Sequence, residues 1–186
     1  MFVRESEVSA QSRQQIVAYW LMPAEPARTY FVSLIADLAA RFDASVFEPH
    51  LTIYVTTAGS EKADEVIQRV FADCGPYRLV ISGTAYSDEF TKTVFVEFQP
   101  NEELIRLSGN FRRASAGQDE YQLNPHLSLI YKTMSRATKE EIATSLRFPF
   151  DEVLFDSAKA VISPADIKSR EDVESWRVLA VQSLNE

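Results

Sequence analysis

Glycine is scarce: only 5 are spread over 186 residues, too few to supply flexible linkers between independent domains. Cys74 is the only cysteine, so an internal disulfide is excluded. A lone thiol fits a reducing compartment, and its place at the end of an apolar helical pattern assigns it to packing. No segment approaches the ~18 apolar residues a membrane helix needs. The first 15 residues mix acidic with basic side chains and have no apolar run, unlike a signal or transit peptide. Positive charge is short as well, with 19 Lys and Arg against 27 Asp and Glu and a net charge of −8. A long polyanion would meet repulsion here instead of a basic stripe. The patterns G-x-x-x-x-G-K-[ST], G-x-G-x-x-G and G-x-S-x-G are all missing, which removes the usual anchors for triphosphates, dinucleotides and serine nucleophiles. No His, Cys and Asp cluster sits at metal-ligand spacing. The expectation is a cytoplasmic monomer with no cofactor and no metal, bound neither to a membrane nor to long nucleic acid.

What is present is an ordinary globular composition, 46% hydrophobic and 25% charged, long enough for one full core. A single two-lobed domain over residues 1–186 is expected, with 1–14 as a flexible polar tail. The β-branched and aromatic run Ile16 to Met22 predicts a first strand that stops at Pro23, where a ladder donor is lost. Pro26 suits a first helical turn, and Tyr30, Phe31, Leu34, Ile35, Leu38 and Phe42 fall along one helical face. A strand from about His50 to Thr56 leads through Ala58-Gly59-Ser60, with Ser60 as a candidate cap, into the stripe Ala63, Val66, Ile67, Val70 and Phe71. Tyr77 to Tyr86 and Thr91 to Phe98 read as a hairpin turned at Ser87-Asp88-Glu89. Asn101 caps a helix carrying Leu104, Leu107 and Phe111, and the polar stretch from Ala114 to Asn124 is either a lid or a plain connection. Thr138 to Glu141 predicts a capping box. Phe148 to Phe155 and Ser157 to Ser163 alternate like a second hairpin, Asp166 to Glu174 reads as a charged loop, and Trp176 to Leu184 closes the chain as a strand. This order predicts an α+β fold with two antiparallel sheets facing a central cleft and helices packed on the outside.

One short motif occurs once in each half. Pro49-His50-Leu51-Thr52-Ile53-Tyr54 returns as Pro125-His126-Leu127-Ser128-Leu129-Ile130-Tyr131, and the chain has no other histidine. A duplication would leave this pattern. Alternation along a strand points residues i and i+2 the same way, so one face of each strand carries an imidazole and a hydroxyl. Leu51, Ile53 and Val55 in one copy, and Leu127 and Leu129 in the other, face a core. A single histidine on a half-buried strand is usually a satisfied structural residue. Finding the tetrad after both of only two histidines is roughly a one-in-several-hundred coincidence at ordinary composition.

Paired imidazoles suit the opening of a strained cyclic phosphodiester, which needs a base to deprotonate water and an acid to protonate the departing oxygen. Histidine titrates near ~6.5, so one copy can be neutral while the other is protonated. The hydroxyls of Thr52 and Ser128 would donate to the phosphoryl oxygens, where charge builds.

The paired H-x-[ST]-aliphatic tetrads resemble the two-histidine phosphoesterase superfamily, and the second copy resembles the matching motif of cyclic phosphodiesterases of the plant and yeast type. Tyr19-Trp20-Leu21-Met22-Pro23 is similar to that family's opening strand, and Glu174-Ser175-Trp176 through Leu184-Asn185 to its closing strand. The resemblance implies a bilobal fold with His50 and His126 as catalytic proton donor and acceptor in the cleft. It implies Thr52 and Ser128 as phosphate ligands and Tyr131 as a further substrate-binding residue. Strict alternation places Tyr131 on the face away from His126, so that role needs a bulge or a turning strand end; otherwise it is a packed aromatic. Trp20 either stacks on a base or ribose or is a core tryptophan. Trp176 reads as structural, and Arg112, Arg113 and Lys132 as candidates for a distal phosphate or as surface charge. The implied substrates are ADP-ribose 1″,2″-cyclic phosphate, opened to ADP-ribose 1″-phosphate, and nucleoside 2′,3′-cyclic phosphates, opened to 2′-phosphates, by-products of RNA and tRNA splicing. The rival expectations are a non-catalytic nucleotide-binding module and an RNA-end processing or 2′-5′ RNA ligase-like member of the same superfamily.

Overall fold

The computed structural model describes residues 14–59, 62–72, 74–115 and 121–184. Most of the expected N-terminal tail, the Ser60 cap and residues 116–120 of the polar loop lie outside them. Among the described residues the order is β1 (Gln15–Pro23), α1 (Ala27–Phe42), β2 (Leu51–Thr57), α2 (Ala63–Phe71), β3 (Tyr77–Tyr86), a 3-10 turn (Phe90–Lys92), β4 (Val94–Phe98), α3 (Glu102–Ala114), β5 (His126–Ile130), α4 (Arg136–Ser145), β6 (Glu152–Pro164), α5 (Arg170–Glu174) and β7 (Arg177–Ser183).

Local chemistry sets the helix ends. The Asn101 side chain accepts from the Leu104 N–H at 2.8 Å and starts α3, with Glu102 and Glu103 in the first turn. α4 starts one turn earlier than its expected box, because Ser135 accepts from the Thr138 N–H at 3.1 Å and takes the cap. α1 ends at Asp43, whose left-handed backbone (φ 49, ψ 57) lets its N–H close on the Ala39 carbonyl. The segment read as a charged loop contains α5, started by a capping box between Ser169 and Asp172. Val173 is its only buried apolar residue, so no hydrophobic period marked it.

All strand pairs are antiparallel, in the order β1-β2-β5-β4-β3-β6-β7, with β1 also paired to β6. The expected second hairpin is instead one 13-residue strand, β6. Its first residues pair with β3 (Tyr77 opposite Phe155) and the rest with β1 and β7. Asp156 and Ser157 do not turn the chain, because Asp156 is exposed while its carbonyl accepts from the Leu184 N–H at 2.8 Å. β6 thus belongs to both lobes, and the two expected sheets are continuous through it.

Phe31 and Leu38 of α1, Val66 and Ile67 of α2, Leu104 and Phe111 of α3 and Ile142 of α4 share one core with Leu51, Ile53, Leu127, Leu129 and Phe155. Fully burying one such side chain stabilises the fold by about 1.5–3 kcal/mol. α1 packs on β5, α4 on β3 and β4, α3 on β2, and α2 on β7. The other face of the histidine strands is left to a cleft.

Candidate active site

The two histidine strands meet at a single registered pair, Leu51 opposite Leu127, the residues immediately after the two histidines. One step either way, antiparallel register sets His50 across from Ser128 and Thr52 across from His126. Both leucines are fully buried in the core, so the four polar residues point to the opposite face. There they line one cleft of about 460 Å³, together with Trp20 and Tyr131. The structure thus brings both motifs and the two expected aromatics into the same cavity.

Each histidine strand also breaks register once with its outer neighbour, at the same place. β1 pairs Tyr19 with Tyr54 but Trp20 with Thr52, which leaves Ile53 over. β4 pairs Val94 with Ile130 but Phe95 with Ser128, which leaves Leu129 over. Each bulge falls three residues after its histidine and reverses the alternation beyond it. Tyr54 and Ile130 turn into the core, while Val55 and Tyr131 come round to the cleft. Val55, expected in the core, is corrected by this bulge, and Tyr131 owes its place beside Ser128 to the other. Tyr131 is 4% exposed and stacks on Phe47 at 3.9 Å and 6°. Burial raises its phenol, and the Ser128 hydroxyl opposes that rise.

The imidazoles are held alike. His50 Nδ1 lies 2.7 Å from the Glu48 carbonyl oxygen, and His126 Nδ1 lies 2.7 Å from that of Asn124. A carbonyl only accepts, so the proton sits on Nδ1 in both, and Nε2 is left to take or give a proton. Burial pushes His50 down to about 4, opposed by the Glu48 carbonyl and helped by the charge of His126. Burial also lowers His126, with the Asn124 carbonyl and Glu89 opposing and Lys92 adding to the lowering.

Of the hydroxyls, Ser128 donates to the Thr91 carbonyl at 2.8 Å, so it must turn to meet a ligand. The Thr52 side chain is half-buried, and the Thr52 carbonyl accepts from the Tyr121 hydroxyl at 3.2 Å. Trp20 is 5% exposed, with its ring parallel to His50. One face of the indole is thus taken by His50, and Trp20 reaches the cleft from beside it.

Residues 16–184 match the family model described as cyclic phosphodiesterase-like protein. The chain belongs to this family, one of the two-histidine phosphoesterases. A cyclic phosphodiesterase of Arabidopsis thaliana is 22% identical over 177 residues, which is 93% of this chain and 97% of that protein. Among solved structures, E. coli LigT complexed with 3'-AMP aligns with a TM-score of 0.62 at 13% identity, over 94% of this chain and all of that one. TT0787 of Thermus thermophilus aligns with a TM-score of 0.58 at 18% identity, over 91% and 97%. At these identities the two structures speak to the fold.

Several cleft residues of this cyclic phosphodiesterase-like chain carried no sequence signal. Phe90 lines the site beside Tyr131, with the buried Phe47 stacked on Tyr131, and the turn from Glu89 to Lys92 forms part of its rim. Trp176, read as structural, lines the cleft and sets its edge on Trp20, His50 and Tyr131. Lys132 donates instead to the Asp43 carbonyl at 2.8 Å. Arg112 and Arg113 end α3 and do not line the cleft. Among the described residues no group of three His, Cys, Asp or Glu side chains is placed to hold a metal, and no helix is long and apolar enough to cross a membrane.

Proposed function

We propose that this protein hydrolyses a cyclic phosphodiester in a small nucleotide by general acid–base catalysis between His50 and His126, with no metal. The preferred substrates are nucleoside 2′,3′-cyclic phosphates, opened to 2′-phosphates, and ADP-ribose 1″,2″-cyclic phosphate, opened to ADP-ribose 1″-phosphate. The observation that carries this reading is the pair of imidazoles on one cleft face, each with Nδ1 tied to the carbonyl two residues upstream.

His50 is the more strongly depressed of the two and is neutral at neutral pH, which suits it to be the base. Its Nε2 takes a proton from water as the water oxygen bonds to phosphorus. His126, less deeply buried, is the acid. It gives its Nε2 proton to the ring oxygen as that P–O bond breaks. Each such transfer contributes about 10²–10⁴ in rate. Thr52 and Ser128 donate to the phosphoryl oxygens, and the buried Tyr131 phenol supports Ser128. The 3'-AMP held by LigT supports a small nucleotide as ligand.

Phosphorus NMR of the products from adenosine 2′,3′-cyclic monophosphate and from ADP-ribose 1″,2″-cyclic phosphate tests the reading. A single phosphomonoester at the 2′ or 1″ position, formed equally well in EDTA, is expected. Calorimetric binding without turnover would leave a nucleotide-binding module as the function, and loss of activity in EDTA would make it a metal enzyme.

A further inference from the structure

We infer that Lys92 is a substrate-binding residue whose ammonium neutralises the phosphoryl group between the two histidines. The inference rests on the cyclic phosphodiesterase reading and adds a ligand that neither motif contains.

Two lysines line the cleft, Lys92 and Lys168. Lys168 is paired with Asp166. Lys92 has no carboxylate within ion-pair distance among the described residues. Its ammonium instead lies 4.5 Å over the Phe95 ring. That ring sets its edge on His126 with centroids 5.4 Å apart, and Phe95 is registered opposite Ser128. An unpaired cation over an aromatic face, beside an imidazole and a hydroxyl, is arranged for an anion. In a chain of net charge −8 it also gives the cleft a local attraction that the mean field denies.

The turn that carries Lys92 is fixed from several sides. The Ser87 hydroxyl donates to the Lys92 carbonyl at 2.6 Å, and the Lys92 N–H donates to the Glu89 carbonyl at 3.1 Å. The buried Thr93 hydroxyl donates to the Phe90 and Lys132 carbonyls at 3.0 and 2.9 Å. Beneath it Lys139, only 3% exposed, donates to the Ser87 carbonyl at 2.8 Å and to Asp88. Such a platform fixes the backbone from which Lys92 reaches over Phe95 before the ligand arrives, and preorganised charge is what transition-state stabilisation requires.

The cation also couples binding to proton transfer. The charged and titratable groups around His126 are Lys92 and Glu89 on the turn, Glu97 opposite it on β4 and His50 on the neighbouring strand β2, across from Ser128. Lys92 lowers the His126 imidazole in the empty cleft. An arriving phosphoryl anion quenches that charge, so His126 becomes easier to protonate when an acid is needed.

The test is calorimetry of wild type, K92M and K92R with adenosine 2′-monophosphate and with adenosine, alongside kinetics on the cyclic nucleotide. K92M is expected to weaken the monophosphate by about 10- to 100-fold, leave adenosine unchanged, flatten the salt dependence and move the His126 limb of the kcat/KM profile to higher pH. K92R should recover most of the affinity. If K92M melts well below wild type, K92Q serves for the same comparison. Unchanged monophosphate affinity and salt dependence in the charge-removed variant overturn the inference and leave the cyclic phosphodiesterase reading standing. A wild type that binds the monophosphate no better than adenosine overturns both.

Discussion

The Trp20 indole lies flat on the His50 imidazole, with centroids 3.7 Å apart and planes 13° from parallel. Trp176 meets Trp20 in a T-shaped contact, with centroids 5.3 Å apart. The indole therefore fixes the plane in which His50 presents Nε2 and keeps water off one ring face. Trp20→Leu is expected to lower kcat more than about tenfold while changing KM little, since a mispositioned base loses much of its 10²–10⁴. Because a large core residue is lost, Tm falls too, so Trp20→Phe is the control: it should recover kcat beyond what its Tm recovers. Equal losses of kcat and stability across the two variants would make Trp20 packing alone.

His50→Ala and His126→Ala should each lose about 10²–10⁴ of kcat on a 2′,3′-cyclic nucleotide, with circular dichroism unchanged. The double variant should lose little more than the worse single one, because the proposed base and acid act in one step. Additive losses would mean that the histidines serve separate steps.

The rate of the free enzyme should follow a bell placed on the acid side of neutrality. In the proposed mechanism His50 must be unprotonated, and burial sets its limb at about 4. His126 must be protonated, and its pKa lies below the ordinary histidine value. The kcat/KM profile is thus expected to rise near pH 4 and fall before pH 6.5. The kcat profile should sit higher, because bound phosphate raises both imidazoles. A kcat/KM optimum above about pH 7 would reverse the assignment of burial as the dominant effect.

Stability should show the same group. His50 titrates near 6.5 unfolded and near 4 folded, so between those values the unfolded chain binds more protons. Stability then rises with pH across this window and is lost on acidification, by about 3 kcal/mol for a shift of this size. Urea unfolding of wild type and His50→Gln at about pH 7 and about pH 4.5 measures it: the wild type should weaken more on acidification than the variant.

Much of this was legible in the sequence, and what was not has a physical reason. The tetrads at His50 and His126 stood out because alternation needs no tertiary context. The α2 stripe from Ala63 to Phe71 and the Asn101 cap are equally local. The bulges at Ile53 and Leu129 are matters of register against β1 and β4, and nothing in either strand alone marks an unpaired residue. β6 read as a hairpin because Asp156-Ser157 looks like a turn. Three partner strands keep it extended, and their positions follow from the whole fold. Lys92 came from a turn whose residues look like any polar connection until Lys139 is seen beneath it.

Glu48 supplies the last prediction, because it holds His50 through the backbone while its side chain is held from elsewhere. Its carboxylate pairs with Lys159, whose side chain is 16% exposed, and lies 3.8 Å from Arg28. Lys159 is the β6 residue registered opposite Trp20. The ion pair thus ties the carbonyl that fixes the His50 tautomer to the strand beside the indole that fixes its plane. Among the described residues His126 has no matching anchor: Asn124, two residues before it, is exposed and its side chain joins no ion pair or hydrogen bond. Lys159→Met should therefore loosen one histidine and not the other. The expected result is a several-fold fall in kcat with KM unchanged and a shift of the acid limb alone; because Glu48 stays 44% exposed and keeps Arg28 nearby, Tm should move little. Nitrogen NMR of the imidazoles reads the cause directly: the His50 tautomer ratio should soften toward an even mixture while that of His126 stays fixed. Identical spectra for both rings would show that the Glu48 carbonyl keeps its place without the clamp.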